Sequence, residues 1–290
     1  MFFLLVLSVL LLFPLAAFAA DFKEHRTASG PFDVAWFEAG KDGVPLVFVH
    51  GWCGDHTAWE YQTAFFATSH RILAVDLPGH GASSAPDVPY TMDAFVTAVS
   101  DVMAAAEIDK AVLVGQSLGA EVCRRFAERF PERTAAVVLV EGAFVFPPES
   151  EEDRKALQAE YDNLAAGFGG ASHDESMRTF VGLLWVPETP EKTREKFLSL
   201  MTGTSPIVAR RAMDDLLRVD HWVDLPAVTV PALAVYAGHT AETEPGLEVN
   251  LRKYFADLRY EEVAKGYHFV MHENPDEVNA RIDAFLKDLR

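Results

Sequence analysis

Apolar residues in this chain follow two alternating rhythms. Runs such as "VAWFE" (34–38), "LVFVH" (46–50), "RILAVD" (71–76), "AVLVG" (111–115), "AVVLVE" (136–141) and "ALAVY" (232–236) are almost uniformly hydrophobic. Short runs without polar alternation suit strands covered on both faces, as in a parallel sheet between helical layers. Between them, "TMDAFVTAVSDVMAAAEI" spaces its apolar residues three and four apart, "LGAEVCRRFAERF" stops at Pro131, and "NPDEVNARIDAFLKDL" opens on Asn-Pro. That spacing and punctuation belong to helices. The expected fold is α/β, a mostly parallel central sheet flanked by helices.

From Phe144 to about Leu225 the strand rhythm stops, and charged amphipathic stretches such as "SEEDRKALQAEYDNLAAGF" and "SPIVARRAMDDLLRV" take over. Residues 144–225 are therefore expected to form a helical lid, with residues 21–143 and 226–290 forming the core. The first twenty residues, "MFFLLVLSVLLLFPLAAFAA", are uncharged and end in Ala17-Phe18-Ala19 before Asp21. They predict a signal peptide cut near Ala19 or Ala20, hence a secreted or periplasmic protein. Left uncleaved, the same run is nearly long enough to act as a membrane anchor.

Composition narrows the partners. Half of the residues are hydrophobic, enough to bury a full core at this length, and the formal charge is −18. An acidic surface excludes polyanions, so neither nucleic acid nor an anionic bilayer is an expected partner. Cys53 and Cys123 allow at most one bridge, and nothing in the sequence fixes their separation. Neither cysteine has a partner at metal-ligand spacing, the histidines are scattered, and no phosphate-cradling glycine loop is present, so no metal or cofactor is expected.

The chemistry concentrates at Gly115-Gln116-Ser117-Leu118-Gly119, between a strand-like and a helix-like run. Alone, five residues of this kind could be a glycine-rich turn with an incidental serine. In a strand-turn-helix context they form a nucleophile elbow, which lifts the serine hydroxyl clear of the sheet edge with the Leu118 amide beside it. A serine needs a base, and His268 in "GYHF" is a late loop histidine of the required kind, with His272 as a rival. The Trp52 amide in "HGW" supplies a second oxyanion donor. "AVDLPGHGASS" (74–84) is read as a structural turn braced by His80.

On "HGW", "DLPGHGAS", "GQSLG" and "GYHF", in that order, the chain from Val34 onward resembles the α/β-hydrolase superfamily in its lidded form. The resemblance implies a lid inserted after the sixth strand of that fold. It also exposes a departure. Most members carry the triad acid three residues beyond the glycine closing the strand after the lid, and counting from Gly238 that position is Ala241. The candidates are Glu242 or Glu244 nearby, or Glu141, which follows Ser117 by 141 − 117 = 24 residues. The Glu141 position resembles that of the catalytic glutamate in some haloalkane dehalogenases and the related marine luciferases, and Glu141 is preferred over Glu242. Those dehalogenases attack with an elbow aspartate, whereas a serine elbow implies acyl transfer.

The expected activity is hydrolysis of small to medium carboxylic esters, or lactones, by Ser117, His268 and Glu141, with Trp52, Phe144, Phe146, Trp185 and Trp222 lining the substrate site. Carbon–carbon bond hydrolysis or cofactor-free perhydrolysis would use the same triad. A non-catalytic small-molecule-binding protein on a hydrolase scaffold is the competing class.

Overall fold

The computed structural model describes residues 22–289, so the leader expectation lies outside the described residues. Eight strands form one sheet: β1 (Lys23–Ser29), β2 (Phe32–Ala39), β3 (Leu46–Val49), β4 (Ile72–Val75), β5 (Ala111–Gln116), β6 (Thr134–Val140), β7 (Ala232–Ala237) and β8 (Leu258–Val263). Their spatial order is β1-β2-β4-β3-β5-β6-β7-β8. The β1–β2 and β2–β4 pairs are antiparallel and the remaining pairs parallel. Every residue of β3, β4, β5 and β7 is buried, which explains why their sequences show no polar alternation.

The two edge strands are the ones that the hydrophobic pattern does not reveal. β1, "KEHRTAS", is largely exposed and gains its place through a full backbone ladder from Lys23 opposite Glu38 to Ser29 opposite Phe32. β8, "LRYEEV", carries Arg259 and Glu261 as an ion pair at 2.7 Å on its half-exposed surface. Charged edges of this kind blunt pairing with other chains.

Eleven α-helices accompany the sheet among the described residues: α1 (Glu60–Phe66), α2 (Met92–Ala105), α3 (Leu118–Arg129), α4 (Glu151–Gly167), α5 (His173–Val181), α6 (Glu191–Gly203), α7 (Pro206–Leu216), α8 (Gly238–Thr243), α9 (Leu247–Leu251), α10 (Val270–Glu273) and α11 (Pro275–Asp288). Thr91 caps α2 by accepting from the Ala94 amide, and Ser150 caps α4 by accepting from the Asp153 amide. α2 packs on α3 and α1 on α11, while α4 to α7 fill the stretch between β6 and β7. Among the described residues no helix is long and apolar enough to cross a membrane.

α3 ties this helical stretch to the core through an unusual buried cluster. Glu121, fully buried, accepts two bonds from Arg124 at 2.7 and 3.0 Å and one from Arg125 at 2.6 Å. The Arg124 guanidinium lies 5.5 Å from the centre of the Trp222 ring. Cys53 and Cys123 are free, buried thiols.

Candidate active site

β5 ends at Gln116 and α3 begins at Leu118, leaving Ser117 alone on the turn with φ 53 and ψ −121. A non-glycine residue held at positive φ is strained, and such strain concentrates at functional sites. Here tight packing enforces it. A Cβ added to Gly115 would sit 2.2 Å from the Gly119 carbonyl oxygen, and one added to Gly119 would sit 2.2 Å from that of Val49. The glycines of the motif thus let strand, helix and β3 approach to contact distance. Leu118 opens α3, so its amide has no carbonyl partner within the helix and remains available to an anion.

The Gly51-Trp52 turn after β3 abuts this elbow. A Cβ on Gly51 would lie 2.2 Å from the Gln116 side-chain oxygen and 3.1 Å from the Ser117 Cβ. His50 fixes the turn from below: its Nδ1 bonds the Gly51 carbonyl at 2.8 Å and its Nε2 accepts from the Leu77 amide at 3.0 Å. The "DLPGHGAS" turn is organised by buried Asp76, which accepts from the His56 and Ala82 amides at 2.7 and 2.8 Å. His80, on the same turn, bonds the Pro78 carbonyl at 3.0 Å.

His268 lies between β8 and α10, on a loop that three side chains hold. Gln116 donates to the His268 carbonyl at 3.1 Å, Glu273 accepts from the Tyr267 amide at 2.6 Å, and Asn274 donates to the Lys265 carbonyl at 2.5 Å. The other oxygen of Glu273 accepts from the Thr189 hydroxyl, joining this loop to the segment between β6 and β7. Burial alone pushes the His268 imidazole down to about 4, with no carboxylate close enough to offset it. His272 is a packing residue: it is buried, and its Nε2 bonds the Ala58 carbonyl at 2.9 Å.

Glu141 follows β6 at φ 46 and is 3% exposed. Its carboxylate accepts from the Ala237 amide at 2.5 Å and from the Thr240 hydroxyl at 2.8 Å. Burial raises this carboxyl to about 8, against the pull of those two donors, and Glu244 and Glu273 add to the rise. Glu242 is exposed on α8. Ser117 and His268 therefore share a cavity, while Glu141 stands behind them bonded to the β7 turn rather than to the imidazole.

That cavity measures about 260 Å³. Its floor is Gly51, Trp52, Gln116, Ser117 and His268, and its remaining walls are mainly apolar, among them Phe180, Leu184, Phe197, Met213 and Leu216. Of the expected lining residues only Trp52 belongs to it; its indole N–H donates to the Ala209 carbonyl at 2.8 Å. Phe144 packs edge-on to Trp222 and Phe255, Phe146 stacks on Tyr254, and Trp222 is buried beneath Arg124, so these three hold the helical segment down. Trp185 is half-buried outside the cavity. The correction has a simple cause: an aromatic count cannot tell a ring that faces ligand from one that anchors a helix.

A larger open groove of about 1150 Å³ lies between α4 and α7, away from Ser117. Much of its charge is already paired, Arg211 with Asp87, Arg218 with Asp220 and Lys155 with Glu151. Gln116, Thr240 and Glu273 brace the candidate site without standing out in the sequence pattern. Only Gln116 carried a signal, being inside the elbow motif.

Comparison with known proteins agrees with this fold. Residues 44–275 match the family described as alpha/beta hydrolase fold. The chain is 29% identical over 252 residues to N-formylmaleamate deformylase of Pseudomonas putida, covering 85% of this chain and 90% of that protein. It is 38% identical over 102 residues to the non-heme chloroperoxidase of Streptomyces lividans, covering 34% and 37% respectively. Several curated relatives are thus matched over only about a third of their own length. A solved esterase from Thermogutta terrifontis superposes with a TM-score of 0.79 at 22% identity, covering 93% of this chain and 99% of that one. The matched span, the eight-stranded sheet and the serine elbow together make this chain a member of the α/β-hydrolase family.

Proposed function

We propose that this protein is a serine hydrolase that cleaves small to medium, uncharged carboxylic esters or lactones through an acyl-enzyme. The observation that carries the proposal is that Ser117, on its strained elbow, and His268 line one apolar cavity. Among the described residues no Lys, Arg, Asp or Glu lines that cavity, so a charged substrate would be stripped of water without a partner. Its volume of about 260 Å³ falls just below the range of about 300–1,000 Å³ usual for drug-sized ligands, which favours a small acyl group.

In this reading the Ser117 hydroxyl attacks the ester carbonyl while His268 takes its proton. The Leu118 and Trp52 amides hold the resulting oxyanion. His268 then protonates the departing alcohol, and water activated by the same imidazole releases the acid. Glu141 is the acid of the triad, the negative partner that the His268 imidazolium calls for once charge develops there. Hydrogen bonds between catalytic groups commonly tighten only in the substrate complex.

The test is the initial rate on aryl esters of increasing acyl length, with protein lacking residues 1–20 and its Ser117→Ala variant side by side. Turnover that peaks at one chain length and vanishes in the variant supports the proposal. Saturable ligand binding with no serine-dependent turnover would favour a binding protein on this scaffold instead. Export is part of the same proposal and is checked by N-terminal sequencing of the mature protein.

A further inference from the structure

The turn after β7 is where this chain departs from its relatives' pattern, and it is not idle there. Ala241 stands at the position of the usual acid, yet two neighbours, the Ala237 amide and the Thr240 hydroxyl, both point their hydrogens at Glu141. Thr240 is 5% exposed, and its hydroxyl reaches from α8 to an oxygen of a side chain rooted just after β6. We propose that Thr240 is a positioning residue: with the Ala237 amide it forms a two-point clamp that holds Glu141 in place, so the β7 turn grips the triad acid instead of supplying it.

Physical chemistry gives the clamp a definite job. A carboxylate taken out of water loses most of its hydration, and donors aimed at the charged form recover part of that loss. Glu141 needs such donors because its other neighbours work against ionisation. Burial denies the carboxylate water, and Glu244 and Glu273 repel its negative charge. The clamp also fixes direction. Each carboxylate oxygen accepts one bond from the β7 side and retains a lone pair for a further donor.

This inference rests on Glu141 being the triad acid, and the experiment separates the two. Thr240→Val keeps the side-chain shape and removes the donor, Thr240→Ser keeps the donor, and Glu141→Gln tests the acid itself. The readouts are kcat, KM and the pH profile of kcat/KM on the preferred aryl ester. A second readout, independent of substrate choice, is the rate at which a fluorophosphonate labels Ser117, where Oγ bonds phosphorus, fluoride leaves and the proton passes to His268. Thr240→Val is expected to lower kcat and labelling about tenfold with KM unchanged within about twofold, and to move the acid limb upward by about one pH unit. Thr240→Ser restores both. An unmoved acid limb in Thr240→Val, or failure of Thr240→Ser to rescue it, overturns the clamp while Glu141→Gln remains inactive. A fully active Glu141→Gln overturns the acid assignment and the clamp with it.

Discussion

Gln116 donates its side-chain amide to the main-chain carbonyl of His268 at 3.1 Å, so the residue preceding the elbow serine holds the loop that carries the proposed base. The two partners are 152 positions apart in sequence and come from opposite ends of the catalytic constellation. Gln116→Leu removes the bond while keeping bulk. Displacing a reacting group by about 1 Å can cost about a hundredfold, so kcat is expected to fall by ten- to a hundredfold with KM nearly constant. Steady-state kinetics on one aryl ester decides it; a raised KM at unchanged kcat would assign Gln116 to substrate binding instead.

As the proposed triad acid, Glu141 couples activity to stability with opposite signs. Its carboxyl titrates near about 8 in the fold, against an ordinary value of 4.5, because burial disfavours the charged form. Between those values the folded state holds the extra proton, so stability falls as pH rises from about 4.5 through about 8. Catalysis needs the ionised form, so kcat/KM should climb across the upper part of the same window, with apparent constants belonging to the Glu141–His268 pair. Glu141→Gln should therefore lose about a thousandfold or more in kcat yet melt higher than the parent at about pH 9. Melting curves of the two proteins at about pH 6 and pH 9 check the sign: a variant that melts lower at both would refute the buried-charge account.

On the acid side the buried histidines set the limit. Burial lowers His268 and His272 to about 4 and His80 to about 3, and His50 is lowered as well. Unfolded, each binds a proton below about 6.5. The stability they confer is present above that value and is lost as pH falls toward the folded values, since the unfolded chain then holds more protons. The melting temperature should drop steadily from about pH 6.5 to pH 4. His80→Gln, which keeps a donor toward the Pro78 carbonyl, should flatten that slope; an identical slope would show that His80 is protonated in the fold.

How far the sequence could be read depended on what kind of information each feature needs. The buried strands β3 to β7, the helices and Ser117 are local features, specified by runs of side chains or by a five-residue turn. β1 and β8 are held by backbone ladders at exposed edges, where side-chain hydrophobicity is free to vary. The Thr240–Glu141 clamp and the Gln116 and Glu273 struts join residues far apart in the chain, and no short window contains them. The rings at Phe144, Phe146 and Trp222 carry the right chemistry for a pocket wall but face the wrong way.

The Glu121–Arg124 pair should be far more sensitive to breaking than to replacement. Both side chains are buried, so Arg124→Met leaves a desolvated carboxylate with only Arg125 beside it and should cost about 3–5 kcal/mol. It also frees the Trp222 ring that links α3 to the helical segment between β6 and β7. Pairing it with Glu121→Leu removes the orphaned charge and should recover much of that loss. Urea unfolding of the single and double variants tests the difference; equal losses would mean that the cost lies in packing rather than in charge.

The cavity wall predicts the shape of the substrate profile. Each methylene buried contributes about 0.8 kcal/mol, or about fourfold in kcat/KM, for as long as there is room to bury it. Activity should therefore rise by that factor per added acyl carbon and then fall abruptly when the cavity of about 260 Å³ is full. Leu184 lines the cavity while remaining half-buried, so it can change size without overpacking the core. Leu184→Trp should move the peak to shorter acyl chains and cost at least about tenfold beyond it, and Leu184→Ala should move it to longer ones. Rates on the shortest ester should stay within about twofold in both variants, because that ester never reaches the wall. A uniform loss across all chain lengths would instead place Leu184 on the path of the leaving alcohol.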